Sequence, residues 1–129
     1  MKKLILLILT FQAILIGCAP TIQQIQSTNR SNLNRISLGM TKSQVLDIMG
    51  TQTVKTAEGY IINSPYRSET TSQNGLNYEI HFFYTDTKKN DGAITDDELT
   101  PVVYFEGKVS GYGWNYLRDN IKKYQLDIR

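Results

Sequence analysis

The chain has 129 residues, 14 Lys and Arg against 12 Asp and Glu, and a single cysteine. Its length suits one domain with an appendage. One cysteine excludes an internal disulfide, and the near-balance of charge leaves no basic face of the kind nucleic acid requires.

Met1-Lys2-Lys3 precedes an apolar run, Leu4 to Ile16, which passes through Gly17 into Cys18. A basic start, a short apolar stretch and a small residue at the cut predict a secretory signal peptide over residues 1–17. Thirteen helical residues cover only about 20 Å of a ~30 Å hydrocarbon core, too little for a lasting transmembrane anchor. The usual cut also wants a small residue at −3, where Leu15 stands. Leu15-Ile16-Gly17-Cys18 resembles the lipobox of bacterial lipoproteins. The resemblance implies that the Cys18 thiol takes a diacylglyceryl group and that its amine is acylated with a palmitate-type chain. Two such signals suffice for stable anchoring. Without Lys2 and Lys3 the 112 residues from Cys18 onward carry 12 basic and 12 acidic side chains. Ala19 follows the cysteine where Asp would favour retention in the inner membrane. This implies export to the periplasmic face of the outer membrane, or, in a host with one membrane, display on its outer face.

Residues 18–34 are rich in Gln, Ser, Thr and Asn. They are expected to form a lipidated N-terminus and flexible tether with a reach of about 20–24 Å, and Ile22 and Ile25 could support one helical turn. The domain proper is placed at residues 35–129. Its clearest local signal is a helix from Lys42 to Met49. Thr41 and Gln44 form a capping box, Met40 and Val45 a hydrophobic staple, and Gly50 suits a left-handed stop. Thr51–Ala57 and Gly59–Asn63 are expected as strands around a Glu58-Gly59 turn, and Ser68–Asn74 as a polar loop. Leu76–Thr85 alternates, with Tyr78, Ile80, Phe82 and Tyr84 on one face and Asn77, Glu79, His81 and Phe83 on the other, as in a half-buried central strand. Asp86–Glu98 is an acidic connection. Pro101–Glu106 and Lys108–Tyr112 flank a Glu106-Gly107 hairpin signal, and Trp114, Leu117, Ile121 and Tyr124 mark the stripe of a last helix. The order predicts a small two-layer α+β domain: an antiparallel sheet of three to five strands covered by two helices.

Few residues in this pattern point to chemistry. Asp91-Gly92 to Glu98 resembles the second half of a calcium-binding EF-hand loop, yet Lys89 stands where a carboxylate belongs, so an exposed loop is expected and no metal. His81, the sole histidine, has no second histidine or thiol for a metal or an acyl transfer. It is expected as a hydrogen-bonded residue of the sheet. No catalytic or cofactor motif is present, and the protein is expected not to be an enzyme. Eight tyrosines and one tryptophan are many for so small a core. Tyr and Trp with Arg concentrate at protein interfaces, so Tyr66, Arg67, Tyr112 and Trp114 form the candidate partner-facing patch. The competing reading makes Gly111-Tyr112-Gly113-Trp114 a bulge that turns the strand into the last helix, with Trp114 plugging the core.

Gly39-Met40-Thr41-Lys42-x-x-Val45 with Gly50, behind a lipobox and a polar stretch, resembles the SmpA/OmlA (BamE-like) family of small outer-membrane lipoproteins. The firm likeness covers Ile36–Gly50 and the lipobox. A neighbouring lipoprotein family of the same superfold fits as well. The resemblance implies two helices paired with a three-stranded antiparallel sheet. It also implies Cys18 as the lipid site and a non-enzymatic role, by protein contact, in outer-membrane assembly or maintenance. The alternative is a periplasmic ligand-binding or hydrolase-inhibitor module.

Overall fold

The computed structural model describes residues 17–127. The predicted signal peptide, apart from Gly17, lies outside them. The elements run α1 (Ile22–Leu33), α2 (Lys42–Met49), β1 (Thr53–Lys55), β2 (Ile61–Asn63), β3 (Arg67–Gln73), β4 (Leu76–Tyr84), β5 (Leu99–Phe105), β6 (Lys108–Tyr112) and α3 (Trp114–Asn120). Short 3-10 segments cover Asp96–Glu98 and Lys122–Asp127. β1 and β2 pair as a separate two-stranded sheet, while β3-β4-β5-β6 form an antiparallel meander. The fold is thus the small α+β domain that the sequence predicts.

α2 forms over the expected residues. Its capping box is complete, with the Thr41 hydroxyl accepting from the Gln44 N–H at 3.2 Å and the Gln44 side chain accepting from the Thr41 N–H at 2.9 Å. Gly50 ends it at positive φ, but with an extended ψ of 161° rather than the expected left-handed turn. The residues just before α2 run along the outer edge of β6. The Gly39 N–H donates to Val109 O, Val109 N–H to Met40 O and Lys42 N–H to Gly107 O, at 2.8, 2.8 and 3.0 Å. This strip satisfies part of the edge that β6 would otherwise leave unpaired.

β4 was expected to be half-buried. It is buried on both sides from Ile80 to Tyr84, because helices cover both faces of the meander. On one face Ile80, Phe82, Tyr84, Leu99 and Val103 pack with Leu117, Ile121 and Tyr124 from the C-terminal segment and with Ile62 from the hairpin. On the other, Phe83, Val102, Tyr104 and Val109 pack with Val45 and Met49 of α2. Each fully buried apolar side chain contributes about 1.5–3 kcal/mol. The last-helix stripe falls into the first core as expected, although the α-helix gives way to 3-10 geometry after Asn120.

Two further expectations are corrected. The flexible tether is a 12-residue helix, and the domain begins with it rather than at residue 35. α1 carries its own capping box, Thr21 with Gln24. It adds Ile22 and Ile25 to the first core and Leu33 to the second, so it spans the end of the sheet where β4 finishes. Its buried stripe is polar in the middle: Asn29 Nδ2 donates to Tyr84 O at 2.8 Å and Gln26 Nε2 to Thr87 Oγ1 at 2.7 Å. The polar loop Ser68–Asn74 is also, up to Gln73, strand β3. It registers with β4 from Arg67↔Phe82 to Gln73↔Leu76. Asn74 and Gly75, at φ of 53° and 76°, close that hairpin in the tight two-residue turn that Asn-Gly favours.

Candidate functional site

Cys18 is exposed and free, and the fold takes up the chain immediately behind it. Pro20 O accepts the Ala57 N–H at 2.9 Å. Two residues further, the Glu58 carboxylate accepts the Ile22 N–H at 3.1 Å, placing a negative charge against the positive end of α1. The β1–β2 turn and the segment that opens α1 therefore hold each other, two to four residues from the predicted lipid site.

The four residues of the candidate patch are not brought together. Tyr66, Arg67 and Trp114 gather on the first-core face around Phe82. The Arg67 guanidinium lies 4.0 Å above the Phe82 ring and pairs with Glu69 and Asp96. The Trp114 ring sits 5.7 Å from Phe82, and its Nε1–H donates to Leu99 O at 2.8 Å. Tyr112 is directly across from Val102, on the opposite face, and stays half-exposed. Trp114 thus occupies the position that the competing reading gave it. Gly113, at φ of 87°, starts α3, whereas the bulge falls at Ser110, between the pairs Val103↔Gly111 and Tyr104↔Val109, one residue before the segment expected to form it.

A different group of polar side chains meets on the second-core face, beside the start of α2. Lys42 Nζ lies 3.0 Å from Glu79 Oε2, and Glu79 Oε1 lies 3.1 Å from His81 Nε2. His81 is only 4% exposed, edge-on to Tyr104 with ring centroids 4.8 Å apart. Burial lowers the His81 pKa below its ordinary 6.5, and the Glu79 hydrogen bond only partly opposes this. Burial alone would raise Glu79, but hydrogen bonds from Lys42 and His81 hold it below 4.5. Burial also pushes the Tyr104 hydroxyl well above its ordinary value. The set at neutral pH is therefore a neutral imidazole donating through Nε2, an ionised carboxylate and a protonated phenol. These are hydrogen-bonding groups, with no activated nucleophile among them. Among the described residues, two buried side-chain atoms, His81 Nδ1 and the Tyr104 hydroxyl, have no hydrogen-bond partner. Beside them, Thr70, Ser72, Asn77, Glu79, Tyr104 and Glu106 line a recess of about 500 Å³.

The sequence signals His81 beside Glu79 on one strand face, as found. It gives no cue for Lys42 and Tyr104, which arrive from α2 and β5. The acidic connection takes the form of a loop tied from within. Glu98, 1% exposed, accepts the N–H groups of Lys88, Lys89 and Thr95 at 2.8, 3.3 and 3.1 Å. The residue in the EF-hand-like final position thus serves the loop's own backbone. Among the described residues no three His, Cys, Asp or Glu side chains group to hold a metal, and no helix is long and apolar enough to cross a membrane.

Residues 19–119 match a family described as Protein of unknown function (DUF3192). No curated protein and no solved structure matches the chain.

Proposed function

The chain belongs to the DUF3192 family, and from that premise we propose that it is a lipid-anchored, non-enzymatic protein of the cell envelope. It is held through Cys18 on the periplasmic face of the outer membrane and acts by protein contact in assembly or maintenance of that membrane. One observation carries the reading: an exposed free thiol stands two residues before Pro20, the first residue that the fold binds. A diacylated cysteine at that place needs no room that the domain occupies. The family match, which begins at Ala19, and the likeness of Ile36–Gly50 to SmpA/OmlA lipoproteins support it further. The test is to express the full precursor and its Cys18→Ala variant, then compare membrane fractionation and intact mass. The reading expects a lipid-shifted mature chain in the outer membrane, with the variant unprocessed or released. Cleavage elsewhere with a free thiol at Cys18 would remove it.

The second reading, a ligand-binding or inhibitor module, draws on the recess beside Tyr104. An unpaired buried hydroxyl costs about 1–3 kcal/mol when nothing satisfies it, and a bound polar group would recover that. Binding of soluble peptidoglycan fragments or of a cell-wall hydrolase to the unlipidated chain from Ala19 onward, weakened by Tyr104→Phe, would favour it.

A further inference from the structure

We infer that the outward face of the β1–β2 hairpin rests on the lipid surface that carries the Cys18 anchor. This rests on the lipoprotein reading and adds an orientation to it. Pro20 is fixed to Ala57, and two Cα–Cα steps of ~3.8 Å separate it from Cys18. The Cα that carries the lipid therefore lies within about 8 Å of Pro20, the residue bonded to the hairpin turn. A docked α1 leaves no slack for the domain to drift from the membrane.

The hairpin is built for that place. It stands outside the four-stranded sheet and is fastened inward by Ile62, 3% exposed in the first core. Its other face presents Thr53, Lys55, Ile61 and Asn63, all exposed. Ile61 is 63% exposed and sits directly across from Lys55. An apolar side chain beside a lysine suits a bilayer interface: the isoleucine enters the acyl boundary while the ammonium reaches a headgroup phosphate. The one acid of the turn, Glu58, is engaged with the α1 N-terminus. The orientation also places the recess near Tyr104 away from lipid. Asn77 and Glu106 line it at the start of β4, whereas α1 is bonded to Tyr84 at the strand's end.

The test uses the full precursor, processed in cells and purified with its lipid. Cys18 is then a thioether, so Ile61→Cys supplies the sole free thiol for an environment-sensitive fluorophore. Leu76→Cys serves as the control, eight residues along β4 from Tyr84 and thus about 26 Å away. Each labelled protein is placed in phosphatidylethanolamine–phosphatidylglycerol vesicles with brominated acyl chains. The label at position 61 is expected to lose most of its emission and the label at 76 to keep it. Equal emission at both positions, with the protein vesicle-bound and its mass lipid-shifted, would overturn the orientation alone. Two titratable thiols and an unshifted mass would overturn the anchor, and the orientation with it.

Discussion

Burial of His81 between Phe83 and Tyr104 disfavours its protonated form, and the Glu79 carboxylate only partly compensates. In the unfolded chain the imidazole takes up a proton near its ordinary 6.5, and in the fold only at lower pH. The unfolded state therefore binds more protons from about pH 6.5 downward, so the His81 contribution is complete above that value and is lost as pH falls. Glu79 and Glu69, both held below 4.5 by their partners, add a further loss below about pH 4.5. Urea unfolding is expected to show stability declining in these two stages. His81→Gln should flatten the first stage while leaving the second in place; an unchanged slope between pH 6.5 and 5 would refute the assignment. Gly111 makes a separate demand. A Cβ there would stand 2.5 Å from the Tyr116 ring, so Gly111→Ala is expected to lower stability by about 1–3 kcal/mol through overpacking, read from the urea midpoint. The His81–Glu79 pair was legible because both lie on one strand with period two. The contact on Gly111 was not, because the ring that fills its place comes from α3.

α1 illustrates how a helix can hide in a polar composition. Its start is announced by the same Thr-x-x-Gln box as α2, at Thr21–Gln24, and its inward positions 22, 25, 29 and 33 follow helical spacing. Asn29 breaks the apolar stripe, yet it is buried because strand β4 ends with a carbonyl that needs a donor. Asn29→Leu keeps the branched skeleton of the side chain and removes the donor. It is expected to cost about 1–3 kcal/mol in urea unfolding, where a flexible tether would register nothing. β3 escaped for a related reason. Its residues are polar on both faces, and its inward Arg67 and Glu69 are accommodated by stacking on Phe82 and by bonds from Lys123 and Tyr124. The Asn74-Gly75 turn was the available signal. α2, apart from the geometry of its Gly50 stop, and the Glu106-Gly107 hairpin were legible because cap, stripe and turn agree there within a few residues.

At the scale of the molecule, the docked N-terminus replaces a swinging domain with one held at a short, fixed distance from residue 18. A flexible Gly-Ser insert of about twelve residues between Ala19 and Pro20 restores roughly 17–21 Å of reach. It is expected to leave the urea midpoint unchanged, since the first bonded residue is Pro20, while abolishing lipid quenching of the label at position 61. A large fall in midpoint would show that residues before Pro20 belong to the fold. Local sequence signals specify the α+β class, α2 with its N-terminal cap, the central strand, the last two-strand hairpin and the lone cysteine at the end of an apolar run. Each of these is written in contiguous residues whose spacing or turn chemistry has one reading. Contacts between distant segments settle that α1 is part of the domain, that β3 joins the sheet, that both faces of β4 are covered and that Lys42, Glu79, His81 and Tyr104 meet. Those outcomes depend on carbonyls, rings and charges supplied from distant segments, and a polar residue is buried or exposed according to whether such a partner arrives.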